Sequence, residues 1–430
     1  MITRIFVGLA CLPCLGWSAQ LTWNDVINMA LKENTSLAQA NQQYLAAQEN
    51  VQVARRGYLP SIRASVSATR IGSRGGGGIV SNGVILNSSS SSVSSNYLGA
   101  LTLNQNIFNG LEDVSKVDQA EWRVKDLFWN RERVKSDLSF NLKQAFANLV
   151  YAQEYLNLTD DIIERRESNY KLVSIRYENG RENKGSVLLS EAYFEQAKLD
   201  NIAAQDALRV ARSTLLSYLN REGFDDYEAT GDLPMANIAI KENEIINLAT
   251  ETPDYNRAVT TEKIAAKEIT VARSNFLPSL DLVGNVTRQD QTFFPTRDNE
   301  RWSMALTLSI PIFDGFADYS ATKSAIFSKY AAEEQKRTTF LNLVPQIKQA
   351  QTLAKQSDIK LSVDTKFKNA SATRAEISRI KYNNGLLSFE DWDIIENELI
   401  TRQITYLQSK RDRVIRYANF EKVIGKGSIP

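Results

Sequence analysis

Glu390, Asp391 and Asp393 place three carboxylates within four positions, just after a turn containing Tyr382, Asn384 and Gly385. Two such groups could divide the roles of general acid and general base in a hydrolysis. They follow a surface turn, however, and nothing around them would wall off a pocket. The simpler account of the cluster is an acidic helix start that complements the helix dipole. The chain has no histidine, which removes Ser-His-Asp and Cys-His nucleophiles and any His-ligated zinc site. Four methionines make a thioether path for copper improbable. Gly75 to Gly78 could cradle a phosphate, but no Lys-Ser/Thr follows and no helix begins there. No catalytic constellation emerges, so the expectation is a protein that is not an enzyme and carries no cofactor or metal.

Fifty-one basic and fifty acidic residues leave a net charge of +1, which argues against a nucleic-acid partner. Residues 1–18 combine one Arg, an apolar core from Ile5 to Leu15 and small residues at Gly16 and Ser18. That pattern predicts a secretory signal cleaved after Ser18. Cys11 and Cys14 both fall inside it; a lipid-anchored Cys11 is the alternative, but Gly8-Leu9-Ala10-Cys11 is a poor lipobox. The mature chain is then exported and free of cysteine. No later apolar run approaches the roughly eighteen residues of a membrane helix, so any crossing must use strands.

The positioning elements announce themselves by duplication. Ala100 to Gly110, ALTLNQNIFNG, returns as Ala305 to Gly315, ALTLSIPIFDG, with seven of eleven positions identical. The stretch 53–70 aligns with 271–288 and shares a Leu-Pro-Ser at Pro60 and Pro278. Arg176-Tyr177-Glu178-Asn179-Gly180 matches Lys381-Tyr382-Asn383-Asn384-Gly385. This divides the chain into a first repeat at 19–223, a connector at 224–240 and a second repeat at 241–430. Each repeat reads as a helix, a β-hairpin (61–107 and 279–312) and a long helical hairpin. Pro60, Pro278, Gly110, Pro311 and Gly315 mark the strand–helix junctions.

Helical spacing runs from Trp23 to Gly57, then from Leu111 to about Tyr177, far longer than a globular domain accommodates, so a coiled coil is expected. A second helix is expected from about Val187 to Leu219. Pro345 should kink or break the matching long helix of the second repeat. Residues 71–96, rich in Gly and Ser, read as a flexible loop. The strands alternate: Ile62, Ala64, Val66 and Ala68 oppose Arg63, Ser65, Ser67 and Thr69, while Leu280, Leu282 and Val286 oppose Ser279, Asp281, Asn285 and Thr287. In the last strand, Trp302 to Ile312 supply the apolar face at even positions. Arg63 and Asp281 suit a water-filled lumen, not lipid. Tyr58, Phe108, Phe276 and Phe313 at one end, with Tyr97, Phe293, Phe294 and Trp302 at the other, suit the two membrane interfaces. Four strands cannot close a barrel, and open edges are not tolerated in lipid, so several copies must share one; three give twelve strands.

With these motifs in this order, twice, the chain resembles the TolC-like outer-membrane factor family from Leu21 to about Gly425. The resemblance implies an α+β membrane protein in which long helical coiled-coil hairpins accompany four strands per chain, and the strands join a shared trimeric twelve-stranded barrel. It implies an exit duct of a tripartite efflux pump or type I secretion system, in the cell outer membrane with a periplasmic tunnel. The implied partners are two further copies, a periplasmic adaptor, an inner-membrane RND or ABC pump and outer-membrane lipid. It places Tyr382 and Asp391 at the periplasmic aperture, with Glu390 and Asp393 as further charge there. The family's second ring aspartate falls on Ile394 and its tip arginine on Leu387. Tyr177, Asn179, Gly180, Tyr382, Asn384 and Gly385 form the helix-tip turns expected to dock the adaptor. The first tip has Ser186 where the second has Asp391, so it is expected at the adaptor or the outer coil instead of the ring. The competing reading is a soluble periplasmic coiled-coil adaptor or scaffold.

Overall fold

The computed structural model describes residues 19–81, 84–221, 227–231, 233–235, 241–293 and 299–429, with side chains described outside 73–92 and 243. The signal segment 1–18, Phe294 and most of the connector therefore lie outside the described residues. Two compact units result: Met1–Gln42 with Trp129–Asn256 and Thr338–Pro430, and Gln43–Phe128 with Arg257–Arg337.

The second of these units holds the four-stranded antiparallel sheet, in the order β2 (Ser61–Ser81), β3 (Val84–Asn109), β5 (Ser279–Asp290), β6 (Glu300–Ser309). Register keeps each alternating set on one face. Ile62 pairs with Leu103, Leu103 with Gly284 and Gly284 with Met304, while Arg63 pairs with Thr102, Thr102 with Asn285 and Asn285 with Ser303. A bulge between Asn106 and Phe108 resets the ladder next to the helix, which returns Phe108 to the row of Leu280 and Leu308. The apolar row is open to solvent in one chain, with Val66, Trp302 and Met304 about 70–80% exposed. Tyr58, Phe108, Phe276, Phe293 and Phe313 are exposed too, so these aromatics are not core residues.

Two expectations fail here. Residues 71–96 are not a loop: β2 and β3 stay paired up to Ser81 and Val84. Gly and Ser keep their backbone N–H and C=O groups, and an antiparallel ladder satisfies those groups without needing side chains to pack. The last strand stops at Ser309 instead of reaching Ile312. Pro311 has no N–H to give to a ladder.

Both strand-to-helix junctions use one device. Gly110 and Leu111 have φ of +65° and +70°, and Gly315 and Phe316 have +72° and +66°. Asn109 Oδ1 then accepts from the Asp113 N–H at 3.3 Å, and Asp314 Oδ2 accepts from the Asp318 N–H at 2.6 Å. At Gly110 a Cβ would also lie 2.7 Å from the Ser274 carbonyl oxygen, so only glycine fits.

The long helices are α3 (Glu112–Glu178) and α7 (Ala317–Asn383), each 67 residues, or about 100 Å. They return as α4 (Lys184–Tyr218) and α8 (Phe389–Val423), 35 residues each. Pro345 does not break α7. One main-chain bond is lost among many, and the flanking Leu343 and Ile347 are buried against Ile245, Phe420 and Ile424. Tertiary packing therefore outweighs the local penalty.

In the first unit the N-terminal part begins with β1 (Ala19–Thr22), which pairs in parallel with β4 (Tyr227–Thr230). Two helices follow, α1 (Trp23–Glu33) and α2 (Thr35–Ala54), where one was expected. Asn34 divides them: its Oδ1 accepts from the Leu37 N–H at 2.9 Å and its Nδ2 donates to the Tyr218 carbonyl at 2.8 Å. The second repeat opens likewise with α5 (Glu242–Glu251) and α6 (Pro253–Ser274). The cores repeat as well. Leu138, Leu142, Ala145, Leu215 and Leu219 pack with Val26 and Ala30; Leu343, Ile347, Ala350, Phe420 and Ile424 pack with Ile245 and Ala249. The α3/α7 and α4/α8 members stand 205 positions apart (343 − 138).

One buried charge joins three segments: Lys143 Nζ donates to Glu421 at 2.6 and 2.8 Å and to the Pro234 carbonyl at 3.0 Å. Lys143→Ala leaves Glu421 buried without a partner and is expected to cost about 3–5 kcal/mol. Melts of the purified protein should show this loss, and a Lys143→Met/Glu421→Met double variant should be far less damaged.

Candidate functional site

The helix tips gather a cluster of charged and aromatic residues. Both turns end in a left-handed glycine, Gly180 at φ +67° and Gly385 at +73°. Gly180 N–H donates to Tyr177 O and Arg181 N–H to Arg176 O, both at 2.8 Å; Gly385 and Leu386 repeat the pattern on Tyr382 and Lys381 at 2.9 Å. The returning helices are capped alike, Asn183 Oδ1 accepting from the Ser186 N–H at 2.9 Å and Ser388 Oγ from the Asp391 N–H at 3.1 Å.

Identical backbones carry different side-chain fates. Tyr177 is 42% exposed, whereas its counterpart Tyr382 is 1% exposed. The Tyr382 ring stacks on Trp392 with centroids 4.3 Å apart and planes 12° off parallel, and it meets the Phe389 ring edge-on. Val173 of α3 closes the same cluster. The Tyr382 hydroxyl donates to Glu182 Oε2 at 2.9 Å. Arg176 lies 4.5 Å above the ring, and its guanidinium donates to the Tyr382 carbonyl at 2.6 Å. Burial first, then the acceptor Glu182, pushes the Tyr382 phenol well above its ordinary pKa, so it stays a donor at any physiological pH.

Tyr382 was expected both at an aperture and among docking turns. In this conformation its side chain is enclosed in the cluster of Val173, Phe389 and Trp392. Tyr177, Asn179, Asn384 and Gly385 remain at the exposed surface.

The three carboxylates part company. Asp391 is exposed, and Oδ2 accepts from the Ser388 hydroxyl at 2.8 Å, so it serves the start of α8. Glu390 is exposed in the same first turn. Asp393 faces inward. It lies 3.5 Å from the Arg166 guanidinium and accepts from Asn397 Nδ2 at 3.0 Å. Burial raises the Asp393 pKa and lowers that of Arg166, so desolvation outweighs their mutual attraction. Glu396 lies one helical turn on, nearly buried, 3.5 Å from Arg165. Arg165 and Arg166 on α3 thus meet Asp393 and Glu396 on α8 as a neutral cluster. Among the described residues no group of three acidic, His or Cys side chains could hold a metal.

Sequence reasoning missed Arg176, Glu182, Trp392 and Arg166. The one available signal was contrast between the repeats, since Arg176 stands opposite Lys381 and the first tip carries Glu182. Pairing of the two tips with each other is a tertiary fact, and no spacing encodes it.

Among the described residues no helix is long and apolar enough to cross a membrane. The model of the outer membrane efflux protein family matches residues 26–221 and 247–426. The proteases secretion protein PrtF of Dickeya chrysanthemi is 24% identical over 419 residues, covering 90% of this chain and 85% of that one. The structure is similar to the CmeC outer membrane channel of Campylobacter jejuni, with a TM-score of 0.80, 18% identity and coverage of 94% and 85%. It is similar also to CusC, whose structures address transmembrane channel formation, with a TM-score of 0.79, 16% identity and coverage of 94% and 92%. The duplicated sheet-and-hairpin architecture and the match over nearly all of the described chain lead to one conclusion: this chain belongs to the outer membrane efflux protein family.

Proposed function

We propose that three copies of the chain close a twelve-stranded barrel in the outer membrane and act as the passive exit duct of a tripartite efflux or type I secretion system. The carrying observation is a four-stranded sheet with one exposed apolar face and two edge strands, β2 and β6, whose outer edges have no strand partner among the described residues. Unsatisfied edges are untenable in hydrocarbon, and pairing the ten residues of β6 with β2 of the next copy removes the edges over that length. The ten residues of β6 extend about 33 Å, which a tilt near 40° brings close to the ~25 Å apolar band of outer-membrane barrels. A periplasmic adaptor and an inner-membrane pump are the partners this reading requires, because nothing in such a duct supplies energy. The relative's role in protease secretion favours a secretion transporter as pump; the likeness to an efflux-family channel favours a drug-type pump.

The tips act as the gate in this reading. Tyr382 is the bolt: its hydroxyl, its carbonyl and its ring all fasten α7 to the first tip through Glu182 and Arg176. Opening requires α7 and α8 to leave that seat together.

Fractionation should find the protein in the outer membrane as a heat-sensitive trimer on gels. A monomer in the soluble periplasm would reject the duct in favour of a coiled-coil adaptor or scaffold. In planar bilayers, Tyr382→Phe removes a hydrogen bond to a charged acceptor, a loss of about 1.5 kcal/mol or more, and should raise the open-to-closed ratio roughly tenfold. Asp391→Ala should weaken block by multivalent cations; unchanged block removes Asp391 from the aperture.

A further inference from the structure

The polar face of the sheet carries two arginines, one on each edge strand. Arg63 of β2 shares a row with Thr102, Asn285 and Ser303; Arg301 of β6 shares the adjacent row with Ser65, Ala100 and Thr287. Both arginines are exposed, and neither makes an ion pair among the described residues. Arg288 of this sheet is used differently. Arg288 is in the row of Val66, on the opposite face, where it is paired with Glu300 at 2.6 Å.

One carboxylate stands on the polar face in the rows from Asn106 outward. It is Asp281, and its Oδ1 accepts from Asn106 Nδ2 at 2.9 Å. Four strand residues separate it from Asn285 in the Arg63 row, about 13 Å, which exceeds the Debye length of about 8 Å at physiological salt. Asp281 therefore leaves the arginines uncompensated. The rows themselves offer hydroxyl and amide donors from Thr102, Asn285, Ser303 and Thr287, and they offer no carboxylate.

We propose that the barrel lumen binds multivalent anions at a belt of six arginines, Arg63 and Arg301 from each of three copies. The proposal rests on the barrel reading above, which turns the polar face inward. Guanidinium groups are permanently charged and donate in a fork that matches phosphate and carboxylate oxygens. In a narrow lumen their fields add, since low-dielectric walls focus them. Placement on the two edge strands puts both residues beside the seams between copies, so the belt exists only when the edges have paired. Anionic cargo leaving the duct, or a polyanion entering from outside, would meet this belt.

The test uses the full-length protein in planar bilayers with inorganic tripolyphosphate added on the barrel side. Wild-type channels should show sided, voltage-dependent block that fades as salt rises. Arg63→Ser and Arg301→Ser should each weaken block by roughly tenfold, and the double variant should lose it. Arg63→Lys with Arg301→Lys should restore part of the affinity, because charge returns without the fork. Wild-type channels that conduct but show no block overturn the belt and leave the duct intact. So does block retained in the double Ser variant, or block seen only from the tip side. Failure to form conducting trimers at all overturns the barrel reading and the belt with it.

Discussion

Backbone amides at a strand edge need partners, and hydrocarbon supplies none. β2 and β6 each present such an edge, and the face between them is apolar and exposed. Our reading of the whole molecule follows from that one deficit. Four strands cannot curl far enough to meet each other, so in the proposed barrel the missing donors and acceptors come from identical neighbours. Once copies share a barrel, the polar rows of Arg63, Asn285 and Arg301 face a common lumen, and the helices issuing from Gly110 and Gly315 are committed to a common axis.

Duplication explains how one chain builds this at modest informational cost. Paired left-handed residues, Asn or Asp caps, Schellman turns and apolar cores recur at matching positions. Each is a local backbone solution, and a local solution can be copied unchanged. The copies then diverge where function demands asymmetry. Tyr177 and Tyr382 descend from one position, yet one faces solvent and the other is clamped by Trp392, Glu182 and Arg176. The proposed gate would need two dissimilar hairpins, because two equivalent ones would have no reason for a single member to move.

The helical hairpins are joined by buried polar contacts as well as apolar cores. Lys143 with Glu421, and Arg166 with Asp393, are buried pairs, and burying charges costs desolvation that their attraction must offset. Such pairs add little to net stability but penalise any misaligned register heavily, since sliding by one turn would strand a charge. Coiled coils about 100 Å long have many competing registers. Charged pairs at fixed heights single out one of them and still permit the hairpins to separate and return.

Strand faces, the long helices and the turns were legible in the sequence because each has a local cause. Alternation with period two sorted Ile62 from Arg63, and Asn-Gly marked both tips through the left-handed glycine it supplies. The outer membrane assignment followed from those faces together with the duplicated motifs. What the sequence left undecided lies where a distant segment overrules a local preference. Gly and Ser at 71–96 have no intrinsic strand tendency, yet β2 and β3 each give the other a complete ladder. Pro345 should end a helix, yet Ile245 and Phe420 bury its neighbours and hold the helix through it. Asp391 and Asp393 are two positions apart and chemically alike, and only the approach of Arg166 on α3 separates a helix cap from a buried counter-ion. Local propensity is written residue by residue, whereas the environment that reverses it arises from other segments of the chain, some 200 residues away at the helix tips, and takes shape only when they pack.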